Sequence, residues 1–167
     1  DASVTAADGD QLDAGGDPGT TLDPGLAGGP AGAIVSATPE LTGCLPTSQG
    51  HGEAVPLTIY LPAGPGPFPV IIIHHGFQLG AELYASYGEH LATWGYLAIL
   101  PQMPGGLVGG PNHRELKECM IALLDWVQQN ATDPARPLAG KADPTALGLT
   151  GHSMGGKISL LAATEDA

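Results

Sequence analysis

Short apolar runs alternate with stretches of helical spacing along the last two thirds of the chain. The run PVIIIH at 69–74 is rich in β-branched residues and predicts a strand buried on both faces. YLAILP at 96–101 and TALGLT at 145–150 predict two more buried strands. AVPLTIYL at 54–61 predicts a further strand, and Pro56 near its start favours an edge position because proline lacks an N–H.

Helices are predicted between these strands. The segment 81–94 places apolar residues at helical spacing, and Gly95 favours a helix end directly after it. These apolar positions are Leu83, Tyr87, Leu91 and Trp94. A last helix is predicted to begin at about Met154.

The longest predicted helix spans 113–129. Asn112 is its N-cap, and Glu115 completes a capping box. One face of this helix is apolar and carries Leu116, Cys119, Met120, Leu123, Trp126 and Val127. Strands and helices alternate with connections long enough for crossover helices. The three inner strands are therefore predicted to be parallel, with helices on both faces of the sheet.

The N-terminal segment has a different composition. Residues 1–33 contain eight glycines, three prolines and six aspartates, without an aromatic or basic residue. Such a segment cannot bury enough apolar surface to offset its loss of conformational entropy, so residues 1–35 are predicted to be a disordered acidic linker. Asp8, Asp10 and Asp13 are not expected to form a calcium loop, because the loop glycine is missing.

The charge distribution narrows the class of protein. The net charge is −12, and residues 1–53 contribute eight acids and no base to it. Without a basic patch, nucleic-acid binding is disfavoured. No apolar run approaches the roughly 20 residues of a membrane span. An acidic low-complexity linker ahead of a domain is typical of exported or lipid-tethered proteins, so we expect export.

The two cysteines have different surroundings. Cys44 lies in an irregular segment, and Cys119 falls on the apolar face of the helix predicted at 113–129. The preferred interpretation is two unpaired thiols, with Cys119 as a small core residue. An oxidising compartment would permit a disulfide bond between them. Zinc binding is not expected, since the sequence lacks paired Cys or His spacing.

The sequence GHSMG at 151–155 matches the strand–turn–helix pattern that presents a nucleophilic serine. The strand predicted before it and the helix predicted after it are the context that this turn requires. Glycines at 151, 155 and 156 leave room for the strand and the helix to approach closely. Ser153 is therefore the candidate nucleophile. The alternative is an ordinary turn in which Ser153 only caps the helix.

An oxyanion site needs a second donor from the loop after the first buried strand. That loop is His74-His75-Gly76-Phe77, and Gly76 permits a tight turn that aims the Phe77 N–H at the site. The predicted pair of donors is the backbone N–H groups of Phe77 and Met154. Each such donor typically contributes about 3 kcal/mol at the transition state. The alternative is a strand end with packed imidazoles, which is compatible with the first interpretation.

No histidine follows Ser153, although this type of site takes its base from later in the chain. We therefore assign no histidine of this chain as the base. His152 is given no role beyond the variable position of the motif. The others considered are His51, His74, His75, His90 and His113.

Two quoted stretches resemble the chlorophyllases of plants and their bacterial relatives. These are PVIIIHHGFQLGAELYASYGEHLATWGYLAILPQ, which Gln102 ends, and GHSMGGK, which includes Lys157. The resemblance covers about residues 54–164. It implies the α/β-hydrolase superfamily, near cutinase-like and polyester-degrading esterases.

The resemblance implies a serine carboxyl-ester hydrolase that needs no cofactor or metal. Ser153 would attack, the N–H groups of Phe77 and Met154 would hold the oxyanion, and the Phe77 ring would line the acyl pocket. Met154 is typical of cutinase-like esterases, whereas plant chlorophyllases usually have Arg there. The expected substrate is an ester with an apolar acyl or alcohol part. The alternatives are a polyester or cutin hydrolase and a non-catalytic binding protein of the same fold.

The implied fold has a mostly parallel sheet in the order 1-2-4-3-5-6-7-8, with helices on both faces. In that order the strand at 145–150 is central, and residues 36–167 would form the N-terminal part of the domain. We expect the acid and histidine to lie in a C-terminal part outside this chain, so that the 167 residues alone are inactive.

Overall fold

Six strands and three helices make up the part of the chain that the computed structural model describes, residues 28–35, 39–45, 54–104 and 112–165. A 3-10 turn, Ala81–Tyr84, leads directly into the first helix. The strands are β1 (Ala33–Val35), β2 (Glu40–Thr42), β3 (Ala54–Pro62), β4 (Phe68–His74), β5 (Leu97–Pro101) and β6 (Ala142–Gly151). The helices are α1 (Ala85–Thr93), α2 (His113–Thr132) and α3 (Met154–Glu165).

The sheet has the strand order β1-β3-β5-β4-β6, and β2 pairs with β3 beside this path. Both β5 and β6 run parallel to β4, as predicted, whereas β3 runs antiparallel to β5. Numbered along the chain without β2, this is the order 1-2-4-3-5 that the resemblance implied. The inner strands thus end together, and their carboxyl ends face the same edge of the sheet.

The predicted edge position of β3 is wrong. This strand pairs with β5 on one side and with β1 and β2 on the other. Pro56 is tolerated because its carbonyl oxygen accepts the Gln102 N–H at 2.8 Å. The next N–H, that of Leu57, donates to Pro39 at 2.9 Å. The proline therefore removes one donor without breaking the ladder.

Two apolar cores lie on opposite faces of the sheet. Val70 and Ile72 of β4 contribute to the larger core, which α2 and α3 cover. The side chains that alternate with them, Ile71 and Ile73, pack into the smaller core with Ala92 of α1. The prediction of helices on both faces is confirmed. The sheet starts at Ala33, inside the predicted linker, of which residues 1–27 lie outside the described part.

The apolar face predicted for the helix at 81–94 is wrong at three of its four positions, and only Leu91 packs against the smaller core. Leu83, Tyr87 and Trp94 are 60%, 63% and 43% exposed. Small residues of this segment face the sheet instead, since a Cβ at Gly88 would collide with the ring of Tyr60. Periodicity alone could not show this, because close approach of a helix to a sheet selects small side chains rather than large apolar ones.

The ends of the helices follow the predicted signals. Gly95 has φ +89° and follows α1 as its stop. Its N–H donates to Ala92 at 3.1 Å, and the next N–H, of Tyr96, donates to Leu91 at 3.0 Å, which is the Schellman pattern. The capping box of α2 is also confirmed, and this helix continues three residues beyond its predicted end. No helix in the described part of the chain is long and apolar enough to cross a membrane.

Cys44 and Cys119 form a disulfide bond, so the interpretation as two unpaired thiols is wrong. Cys119 lies on the buried face of α2, as predicted. Cys44 follows β2, and its neighbours Leu41 and Leu45 are buried in the same core as Cys119. The pairing of β2 with β3 brings Cys44 over the helix. This proximity depends on tertiary structure and could not be read from the cysteine spacing.

Removing the disulfide is expected to lower the free energy of unfolding of the full-length protein by about 4 kcal/mol. The bond closes a loop with a sequence separation of 75 residues, which restricts the unfolded chain strongly. Urea unfolding of the Cys44→Ala/Cys119→Ala variant against the oxidised wild type measures this. Reduced wild type is the matched control and should have the same free energy of unfolding as the variant. Equal stability of all three would contradict the prediction.

Candidate active site

Ser153 lies in the turn between β6 and α3, at the carboxyl end of the sheet. Its φ is +52°, in the left-handed region, and Gln78 is the only other non-glycine residue with positive φ in the described part. Backbone of this kind costs about 1–3 kcal/mol and concentrates at functional sites. The side chain is exposed, and within the described residues its hydroxyl makes no hydrogen bond. Among the described residues the hydroxyl therefore does not cap α3, and it faces solvent.

Glycines allow the strand and the helix around Ser153 to touch. A Cβ at Gly151 would lie 2.5 Å from the carbonyl carbon of Gly155 and 2.7 Å from the oxygen of His74. A Cβ at Gly155 would overlap the same His74 oxygen, and one at Gly156 would lie 2.9 Å from the oxygen of Gly151. All these neighbours are backbone atoms that cannot rotate away. The first turn of α3 thus rests directly on the end of β4.

The loop after β4 fixes the direction of one peptide group. The carbonyl oxygen of Gly76 lies 2.9 Å from His75 Nδ1 and accepts the Leu79 N–H at 3.2 Å. His75 is buried, and its Nε2 lies 2.9 Å from the carbonyl oxygen of Met103. In a trans peptide the N–H points opposite to the C=O. These contacts therefore also set the direction of the Phe77 N–H.

The two predicted backbone donors have no partner among the described groups. Neither the Phe77 N–H nor the Met154 N–H donates a hydrogen bond within that part of the chain. The Phe77 side chain is 44% exposed, whereas Met154 packs partly against the larger core. The His152 N–H donates to the His74 carbonyl oxygen at 3.1 Å and so joins the serine turn to β4. Unpaired N–H groups at the first turn of a helix can bind an anion.

The imidazole of His74 is buried at the end of β4. Burial lowers its pKa to about 4, so the ring is neutral at pH 7. Its Nδ1 lies 2.8 Å from the His75 carbonyl oxygen, and its Nε2 has no hydrogen-bond partner among the described groups. The two imidazole rings pack with their centroids 5.3 Å apart. The strand end thus carries packed imidazoles, and no histidine in the described part bonds to the Ser153 hydroxyl. His51 lies outside that part.

A hydrogen-bonded group beside the serine was not found from the sequence. Tyr84 Oη accepts the Gly76 N–H at 3.2 Å and lies 2.9 Å from His152 Nδ1. Tyr84 and His152 both line a largely apolar cleft of about 370 Å³. The two residues are separated by 68 positions, so no local spacing could indicate the contact. His152 occupies only the variable position of the serine motif, and Tyr84 belongs to no motif of the sequence.

The order of the strands, the parallel inner strands and the helices on both faces are those of the α/β-hydrolase fold. Within that fold the chain belongs to the chlorophyllase family, because the family model described as Chlorophyllase matches residues 36–166. The resemblance to chlorophyllases stated from the sequence is thereby confirmed. The relation to cutinase-like esterases stays a prediction.

Curated relatives support this assignment. Chlorophyllase-1 of Arabidopsis thaliana is 30% identical over 135 residues, which cover 72% of this chain and 39% of that protein. Chlorophyllase-1, chloroplastic, of Citrus sinensis is 29% identical over 61% of this chain and 30% of its own length. Chlorophyllase-2 of Arabidopsis thaliana is 25% identical over 64% of this chain and 33% of its length. The matched part is thus between 30% and 39% of the length of these relatives.

Proposed function

We propose that the protein containing this chain is a carboxyl-ester hydrolase that forms an acyl-enzyme on Ser153. The observation that carries the proposal is the exposed Ser153 at φ +52° between β6 and α3. A strained backbone that points a hydroxyl away from the helix is what a nucleophilic serine requires. Membership of a family whose relatives are named chlorophyllases supports an ester as the substrate.

In the first step Ser153 Oγ attacks the ester carbonyl while a histidine accepts its proton. The alcohol leaves with that proton, and water then hydrolyses the acyl-enzyme. We propose that the histidine and its acid lie in sequence beyond residue 167. Two observations support this. The described imidazoles do not bond to Ser153, and the matched part is only 39% and 30% of the length of two relatives.

The negative charge that develops on the carbonyl oxygen would be held by the N–H groups of Phe77 and Met154. Both are unpaired among the described groups, and the carbonyl contacts of Gly76 set the direction of the Phe77 N–H. Removing one donor of this kind typically costs a factor of about 10²–10³ in kcat. The exposed ring of Phe77 favours a substrate with an apolar acyl or alcohol part.

We further propose that the rest of the same domain covers the free edge of β6. Within the described residues this ten-residue strand pairs only with β4, and Leu160 and Leu161 of α3 are exposed. An open apolar strand edge is a template for aggregation, so a stable protein covers it. The relatives, in which the matched region is a minor part, have enough additional chain for this purpose.

Export is also part of the proposal. The Cys44–Cys119 disulfide supports it, because such bonds persist in oxidising compartments and are rare in the cytosol. This agrees with the acidic, glycine-rich composition of residues 1–33.

Intact-mass measurement with a fluorophosphonate probe tests the proposed function. The full-length protein should gain one adduct, and peptide mapping should place it on Ser153. Ser159→Ala is the matched control and should still be labelled, because the Ser159 hydroxyl is buried and donates to Thr150 at 2.9 Å. The 167-residue chain alone should remain unlabelled. An adduct on another residue would contradict the role of Ser153, and labelling of the short chain would contradict a base outside it.

A further inference from the structure

One phenol connects the loop after β4 to the turn that carries Ser153. Tyr84 lies at the end of the 3-10 turn before α1, and its Oη is 3.2 Å from the Gly76 nitrogen and 2.9 Å from His152 Nδ1. Gly76 directly precedes Phe77, and His152 directly precedes Ser153. The hydroxyl therefore bridges the residues next to a proposed oxyanion donor and next to the proposed nucleophile.

The chemistry of the groups fixes the direction of the first hydrogen bond. The Gly76 N–H can only donate, so Tyr84 Oη accepts from it. The phenol proton is then available to His152 Nδ1, and it is donated there in the tautomer whose ring proton lies on Nε2. Each group then has a complementary partner, and the hydrogen bonds connect Gly76 through Tyr84 to His152.

Close packing around these hydrogen bonds leaves the Gly76 loop and the His152 ring little room to move. A Cβ at Gly76 would lie 2.7 Å from His152 Nδ1, so the backbone of the loop is in close contact with the imidazole. The far end of the loop is held as well, because the Ala81 N–H donates to Gln102 Oε1 at 2.7 Å. Loss of the phenol hydroxyl would release the Gly76 N–H and the His152 ring together, while the contact at Gln102 would remain.

We propose that Tyr84 is a positioning residue for acyl transfer. Through Gly76 and His152 it fixes the position of the Phe77 N–H relative to the Ser153 hydroxyl. This inference rests on the proposed function of Ser153. Displacement of reacting groups by about 1 Å can cost two orders of magnitude in rate. The two loops keep their other contacts, so we expect a smaller loss of about tenfold.

Tyr84→Phe in the full-length protein removes only the hydroxyl. With p-nitrophenyl butyrate as the probe substrate, kcat should fall about tenfold while KM changes less than about twofold, because alignment in the transition state is lost rather than binding. Labelling by the fluorophosphonate should slow by a similar factor. Tyr96→Phe is the matched control and should leave kcat unchanged. This exposed tyrosine lies before β5 and takes no part in the hydrogen bonds of Tyr84.

A second set of variants changes His152, the partner of the Tyr84 hydroxyl. His152→Asn keeps a polar side chain that can accept the phenol hydrogen bond, whereas His152→Leu cannot. We expect His152→Asn to retain several-fold more activity than His152→Leu. In the Tyr84→Phe background this difference should disappear, because the two residues act through one hydrogen bond. A purely structural role would move the melting temperature and would not give this dependence in kcat.

The outcomes separate the inference from the proposed function. If Ser153→Ala abolishes turnover and Tyr84→Phe has the kcat of wild type, only the inference fails. Equal activity of the two His152 variants also overturns it, including the case in which Tyr84→Phe does not fold. If Ser153→Ala keeps full turnover, the proposed function fails and the positioning role fails with it.

Discussion

Ser153→Ala is expected to lower kcat of the full-length protein toward an aryl ester by a factor of about 10⁴ or more. The substitution removes the only atom that would form the acyl bond, while the backbone N–H groups stay in place. Residual turnover would come from binding and oxyanion stabilisation. Initial rates with p-nitrophenyl butyrate measure the effect, and Ser159→Ala should keep the rate of wild type. A Ser153→Ala rate within tenfold of wild type would exclude the nucleophilic role.

The same position offers a test of the strained backbone. At φ +52° a residue with a Cβ is unfavourable, whereas glycine adopts this conformation readily. Ser153→Gly should therefore unfold with a free energy about 1 kcal/mol higher than Ser153→Ala, although both are inactive. Urea unfolding of the two variants measures the difference. A Ser153→Gly variant that is less stable than Ser153→Ala would mean that the turn stores no strain.

Gly155→Ala is expected to destabilise the protein by about 3 kcal/mol and to abolish labelling by the fluorophosphonate. The added Cβ would overlap the His74 carbonyl oxygen and lie 2.5 Å from that of His75. Because these are backbone atoms of the strand end, α3 must lift away from β4 and carry the Met154 N–H with it. The expected loss therefore includes both packing and the oxyanion site.

The control for this substitution is Gly32→Ala. A Cβ at Gly32 would meet the Cβ of Ala63 at 3.5 Å, which is an ordinary contact. The free energy of unfolding of Gly32→Ala should therefore differ from that of wild type by less than about 1 kcal/mol. Chemical unfolding and the labelling rate are measured for both variants. If Gly155→Ala is as stable and as reactive as Gly32→Ala, the close contact of α3 with β4 is not required.

The parts of the fold that could be predicted are those set by local sequence. Continuous apolar runs indicated β4 and β5, because strands buried on both faces need apolar residues at every position. A similar run indicated β6, but its residues 145–150 are only partly buried or exposed, so the prediction of a buried strand is wrong there. Asn112 and Glu115 marked the start of α2, since an N-cap satisfies backbone groups only a few residues away. The glycines around Ser153 indicated a close strand–helix contact for the same local reason.

Features that depend on distant segments could not be predicted. The Cys44–Cys119 bond requires β2 to pair with β3, and the contact between Tyr84 and His152 requires the 3-10 turn before α1 to meet the serine turn at one end of the sheet. Neither has a signal in spacing. The buried side of α1 carries the small residues Gly88 and Ala92, which an apolar periodicity of large side chains does not indicate.

The disulfide also divides the molecule into a covalent ring and two tails. Residues 44–119 form the ring, which contains Phe77 and Tyr84, while Ser153 lies on the C-terminal tail. A single protease cut anywhere inside the ring leaves one covalent molecule until the disulfide is reduced. The glycine-rich sequence between β5 and α2 lies within this ring. A nick there would therefore not separate the proposed oxyanion loop from the serine in an oxidising medium, whereas the same cut would divide a reduced chain.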